Sequence, residues 1–117
     1  MYMKSLKWLL NELAGQKIAL QTWVWLTGHF KRDGSIRTFK QSDIANDLGT
    51  TPGSISKAIK TLQNLEAIAK IDNEWKYNPF ISSVSGQSDA QASEAQTLWE
   101  EEIGHYGSDE EINYKDV

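Results

Sequence analysis

Residues 41–71 read QSDIANDLGTTPGSISKAIKTLQNLEAIAKI and are the most informative part of the chain. Ile44, Ala45 and Leu48 fall on one helical face, and Ser42 is placed to cap a short helix. Gly49 ends that helix where a tight turn can require positive φ. Thr51 is placed to cap a second helix, and Pro52 falls at its first position, where a missing N–H costs nothing. Ile55, Ala58, Ile59, Leu62 and Leu65 recur as a steady apolar stripe. Ala45 supplies a small side chain where the two helices approach, and Ile55 and Ile59 hold the second against the body. Residues 67–71 read as a strand, Asp72-Asn73 make a turn, and residues 74–77 return as a second strand. Asn78-Pro79 closes the hairpin, because proline cannot donate to a ladder.

Working towards the N-terminus, residues 35–39, Ser-Ile-Arg-Thr-Phe, alternate as one short strand. Residues 16–30 form a helix that is apolar nearly all round, with Trp23 and Trp25, and is expected to be central and buried. Gly28 and Lys31-Arg32-Asp33-Gly34 close it. Residues 4–14 carry Leu6, Leu9, Leu10 and Leu13 at helical spacing, with Ser5 as the expected cap. Helix, helix, strand, helix, tight turn, helix and hairpin make a mostly α chain with a small β-hairpin. That is the order of a winged helix-turn-helix domain with an extra N-terminal helix, whose second motif helix enters the DNA major groove.

Beyond Phe80 the composition changes. Twelve of the 16 residues 82–97 are Ser, Ala, Gln or Gly, which reads as a linker. A short helix is predicted near 94–103 with Leu98, Trp99 and Ile103, followed by the acidic run Asp109-Glu110-Glu111. The domain is therefore expected over 1–81, with a flexible acidic tail over 82–117 whose removal leaves the fold intact. Charge divides at a similar place. Residues 1–77 hold 11 Lys/Arg against 7 Asp/Glu, a net of +4, and residues 78–117 hold one Lys against 9 Asp/Glu, a net of −8. A basic body with an acidic tail points towards nucleic acid, although the whole chain is acidic at −4.

The expected DNA contacts follow from the second motif helix. Its outward positions are Thr51, Gly53, Ser54, Ser56, Lys57 and Lys60, with Thr50 just before it. No acidic residue interrupts residues 50–60. Hydroxyls and lysines reach bases or phosphates, and a helix N-terminus favours a phosphate. With no Arg, Asn or Gln near the helix tip, readout is expected to lean on Ser, Thr and Lys contacts, water or DNA shape. Supporting phosphate contacts are expected from Lys40, Gln41 and Ser42, and from Lys31, Arg32 and Arg37. The wing would add Lys70, Asn73 and Lys76, while Asp72 and Glu74 beside its tip argue against deep insertion into the minor groove. Trp75 is expected to pack the wing onto the body rather than stack on a base.

Other chemistry finds little support. With no cysteine, a disulfide framework, a thiolate zinc site and a cysteine nucleophile are excluded. His29 and His105 lie far apart without metal-ligand spacing, and no phosphate-binding loop or GxGxxG is present. The chain is expected to be non-enzymatic, without cofactor or metal, cytoplasmic and not membrane-bound, having neither a signal-peptide block nor an apolar run of about 18 residues.

Residues 4–81 resemble the RepL-type family of small plasmid replication initiators, and more broadly winged-helix regulators of MarR-like type. The likeness rests on KSLKWLLNEL, on GQKIALQTWVWL, on the motif at 41–71, and on the ending Tyr77-Asn78-Pro79-Phe80-Ile81. It implies binding to double-stranded DNA at a plasmid or phage origin and recruitment of host replication proteins, without catalysis. The same fold suits a transcriptional repressor or a plasmid-segregation adaptor. A protein–protein module whose acidic tail mimics nucleic acid is a further alternative. A homodimer is expected from spare apolar surface.

Overall fold

The computed structural model describes residues 3–103. His105, Tyr106 and the acidic run at 109–111 lie outside the described residues. Five helices and one two-stranded antiparallel sheet are present among them: α1 Met3–Glu12, α2 Lys17–Thr27, α3 Gln41–Leu48, α4 Pro52–Asn64, β1 Ile68–Ile71, β2 Glu74–Tyr77 and α5 Asp89–Ile103. This arrangement is compatible with a winged-helix-like fold. No helix among the described residues is long and apolar enough to cross a membrane.

The α3–α4 corner follows local chemistry closely. Gly49 adopts φ 67°, the left-handed conformation that ends a helix at least cost to glycine. Thr51 caps α4: its Oγ1 accepts the Ser54 N–H at 3.2 Å, and Pro52 follows inside the helix. Ser42, by contrast, is not a cap. Helix α3 begins at Gln41, and its N-cap is Lys40, two residues before Ser42, with no side-chain cap bond. Ser5 is likewise no cap, because α1 begins at Met3 and turns Ser5 into a buried first-turn position.

The core gathers Leu9 and Leu13 from α1, Ala19, Trp23 and Leu26 from α2, Ile44 and Ala45 from α3, and Ile55, Ala58, Ile59 and Leu62 from α4. Helix α2 is not buried all round as expected. Only Ala19, Thr22, Trp23 and Leu26 are covered, and Val24 is 57% exposed. A single face suffices, because its neighbours α3 and α4 approach from one side.

The hairpin pairs Ile68 with Tyr77 and Ile71 with Glu74, around a two-residue turn in which Asp72 (φ 52°) and Asn73 (φ 63°) are both left-handed. Positive φ at both central residues is the turn whose twist matches paired strands. Tyr77 stacks on Phe30 at 4.1 Å and donates its hydroxyl to the Lys31 carbonyl at 2.8 Å. The strand expected over 35–39 reduces to isolated bridges, Ser35 with Lys76 and Phe30 with Ile36. Ile36 N–H still reaches the Trp75 carbonyl at 2.8 Å, but Arg37 N–H turns back to the His29 carbonyl, and the chain leaves the sheet edge for α3.

Two features lie beyond the hairpin. Asn78, fully buried, donates from Nδ2 to the Glu66 carbonyl at 2.7 Å and accepts the Phe80 N–H on Oδ1 at 2.8 Å. It clamps the left-handed Glu66 (φ 57°), where α4 gives way to β1. The C-terminal helix begins at Asp89, earlier than the expected 94, and seats on the hairpin instead of trailing from it. Trp99 is 1% exposed, and with Ala95 and Leu98 it borders a void of about 10 Å³ beside Asp33, Gly34, Ile71, Lys76 and Tyr77. Gly34 (φ 95°) makes this seat possible, since a Cβ there would come within 3.1 Å of the Ala95 Cβ. Removing everything from residue 82 would uncover this surface, which the sequence expectation of a dispensable tail did not foresee.

Candidate nucleic-acid interface

Helix α4 presents two faces. Ile55, Ala58, Ile59 and Leu62 are buried, while Gly53, Ser56, Lys57 and Lys60 are exposed. The exposed four stand at i, i+3, i+4 and i+7, so they form one continuous stripe. Gln63 and Asn64 extend it, both exposed. The contacts expected from the sequence omit these two amides, although the periodicity of the buried residues places them on the same face. No acidic residue lies between Asp47 and Glu66.

The hydroxyls at the start of the helix are partly engaged. Thr51 Oγ1 takes the Ser54 N–H and also lies 3.1 Å from Ser54 Oγ. Thr50 is half-buried, with its N–H on the Ala45 carbonyl at 2.9 Å. Gly53 has room for a side chain, since its nearest neighbour to an added Cβ would be Thr51 Oγ1 at 3.9 Å. Its value is therefore closeness to something outside the chain or none at all.

Lys17, absent from the sequence-derived set, opens α2 and borders an open groove of about 330 Å³ together with Gln16, Ile18, Ala19, Ser54, Lys57, Ala58 and Thr61. Packing of α2 on α4 thus adds a lysine beside Lys57 from a distant part of the sequence.

The remaining expected contacts are placed unevenly. Lys40, Gln41 and Ser42 are exposed at the start of α3, but Asp43 stands in the same turn. Arg37 is exposed. Lys31 lies 3.8 Å from Asp33, and Arg32 Nε donates to the Ser85 carbonyl at 3.4 Å. On the wing, Lys70 is exposed with its Nζ 5.5 Å over the Trp75 ring, and Asn73 is exposed at the turn. Lys76 departs from its expected role as a wing contact. Strand alternation turns it towards α5, its side chain is only 16% exposed, and its Nζ pairs with Glu74 at 2.6 Å.

Asp33 sits beside that pair. Burial pushes its carboxyl up, but hydrogen bonds from the Ser35 hydroxyl and N–H, at 2.5 and 2.9 Å, and the charges of Lys31 and Lys76 outweigh this and hold it below 3.8. Among the described residues no group of three or more His, Asp or Glu side chains is placed to hold a metal ion.

No family model matches the chain, and no curated protein or solved structure matches it either.

Proposed function

We propose that this chain is a non-catalytic, sequence-specific double-stranded DNA-binding protein of a plasmid or phage, acting at a replication origin through a winged helix-turn-helix. In this reading α4 enters the major groove. The observation that carries it is the exposed, acid-free stripe Gly53, Ser56, Lys57 and Lys60 on a helix whose other face is locked into the core. Lysines there neutralise phosphates, and the small residues let the backbone come close. Lys17 shares a groove with Lys57, and Lys40, Gln41, Ser42, Arg37, Lys70 and Asn73 are further exposed donors. The origin and the host replication proteins come from the resemblance of residues 4–81. A homodimer would use apolar surface such as Leu10 and Val24, 41% and 57% exposed.

Gel-shift titration on random duplex and on the DNA flanking its own gene, at two salt concentrations, tests this. With roughly 4–6 phosphates neutralised, log affinity should fall against log salt with a slope of about −4 to −5. Lys57→Ala and Lys60→Ala should each weaken binding and reduce the slope by about one. Unchanged affinity in both variants would remove α4 from the interface. Absence of binding to any duplex at low salt would favour a protein-binding module instead.

A further inference from the structure

Three aromatic rings from separate elements meet at the surface. Trp25 on α2 and Phe39 before α3 lie edge to face with centroids 6.3 Å apart, and Phe39 and Trp75 on β2 are tilted at 6.2 Å. His29 stacks on Trp25 at 4.1 Å and 14°. Each of these residues is half-buried, and His29 covers one face of the Trp25 ring. The ends of the row are held in place. Trp25 Nε1 donates to Asp47 Oδ2 at 2.7 Å, and the Lys70 ammonium stands 5.5 Å over the Trp75 ring.

The row is fringed by positive charge. Arg37 and Lys40 flank Phe39 in the chain, both exposed, and Lys70 is the cross-strand partner of Trp75. Of the nearby carboxylates Glu74 pairs with Lys76, Asp47 accepts from Trp25 but keeps its charge, and Asp43 after Lys40 and Asp72 at the hairpin turn are exposed. Aromatic faces in a basic setting are what unpaired bases on a phosphate backbone require. The rings are inclined at 71° and 35° to one another, so they offer separate, differently tilted faces and suit bases that are themselves unstacked.

We propose that Trp25, Phe39 and Trp75 form a stacking site for unpaired bases of single-stranded DNA, with Arg37, Lys40 and Lys70 taking its phosphates. Trp75 then packs the wing onto the body through one part of its ring and receives a base on another. The choice of DNA rests on the duplex reading above; the stacking does not.

The test is fluorescence anisotropy of a labelled oligothymidylate of about a dozen nucleotides, within the ~4–16-nucleotide range of such sites, against the full-length protein. Phe39→Leu and Trp75→Leu keep apolar bulk and remove the stacking face. Each should weaken oligothymidylate binding by about 5- to 100-fold while duplex binding is retained. Lys57→Ala should do the reverse. Should a leucine variant lose its cooperative melt, the double variant Arg37→Gln, Lys40→Gln carries the test, because both side chains are exposed; its salt slope on the single strand should fall by about 1.4. Absence of oligothymidylate binding at low salt, or binding unchanged by these substitutions, overturns the site. Preference for oligouridylate overturns DNA as its strand. Failure of the duplex reading looks different: the wild type would then bind oligothymidylate but no duplex.

Discussion

Replacing Asn78 by alanine should destabilise this protein more than any surface change in the same region. The side chain is fully buried and holds two backbone groups, the Glu66 carbonyl at 2.7 Å and the Phe80 N–H at 2.8 Å. Truncation removes both bonds from a buried position, at about 1–3 kcal/mol for each. It also releases the left-handed Glu66, which no glycine relieves. The expected loss is about 2–5 kcal/mol, a large share of the ~5–15 kcal/mol that holds a domain folded. At roughly 4 °C or more per kcal/mol, Tm should fall by about 10–20 °C in a circular-dichroism melt. Asn78→Asp sharpens the test. It keeps the acceptor for Phe80 but turns a second oxygen towards the Glu66 carbonyl, so the charged form is disfavoured and its pKa should rise above the unfolded value of about 3.9. A raised carboxyl favours the folded state when protonated, so this variant should regain stability relative to wild type as pH falls through its folded pKa towards 4. A Tm for Asn78→Ala within about 2 °C of wild type, or an Asp variant indifferent to pH, would refute the clamp.

Four other positions give measurable outcomes. Trp99→Ala should cost about 3–5 kcal/mol in urea unfolding, and Trp99→Phe much less, since its Nε1 has no acceptor among the described residues; an unchanged midpoint for Trp99→Ala would place α5 outside the cooperative unit. Thr51→Ala should cost about 1 kcal/mol by uncapping α4, and Gly49→Ala about 1–2 kcal/mol by conformation alone, because no atom lies within 4 Å of an added Cβ; both are read from denaturation midpoints. Asp33 has a depressed pKa, so its contribution is present above 3.8 and is lost as pH falls through its lower folded value. That contribution is small, because the side chain is 56% exposed, and in acid titrations Asp33→Asn should lose stability less steeply than wild type below 3.8.

Much of the architecture was legible in the linear chain because short-range chemistry controls it. Gly49, Thr51-Pro52 and Asp72-Asn73 act within a turn of their own positions, and the apolar spacing of residues 55–62 marks a helical face wherever that helix docks. The stripe Gly53, Ser56, Lys57 and Lys60 follows from that spacing by subtraction. What needed the folded molecule depends on partners far away in sequence. Residues 35–39 have strand character, yet only one edge of β2 receives them, and past Ile36 the chain leaves it. Ala95 sits in the Ser-, Ala- and Gln-rich stretch that composition assigns to a linker, and Trp99 in the short helix expected over 94–103 within the tail, but an indole buries wherever a complementary surface exists, and Gly34, Ile71 and Tyr77 provide it. Lys76 is a surface lysine by type, and only the seating of α5 on that face of the hairpin withdraws it from the wing. Lys17 and the row of Trp25, Phe39 and Trp75 are likewise assembled across separate elements. Local conformation is set by neighbours along the chain, whereas which faces are covered, and which are left to a partner, is set by the packing of elements that the chain order does not pair.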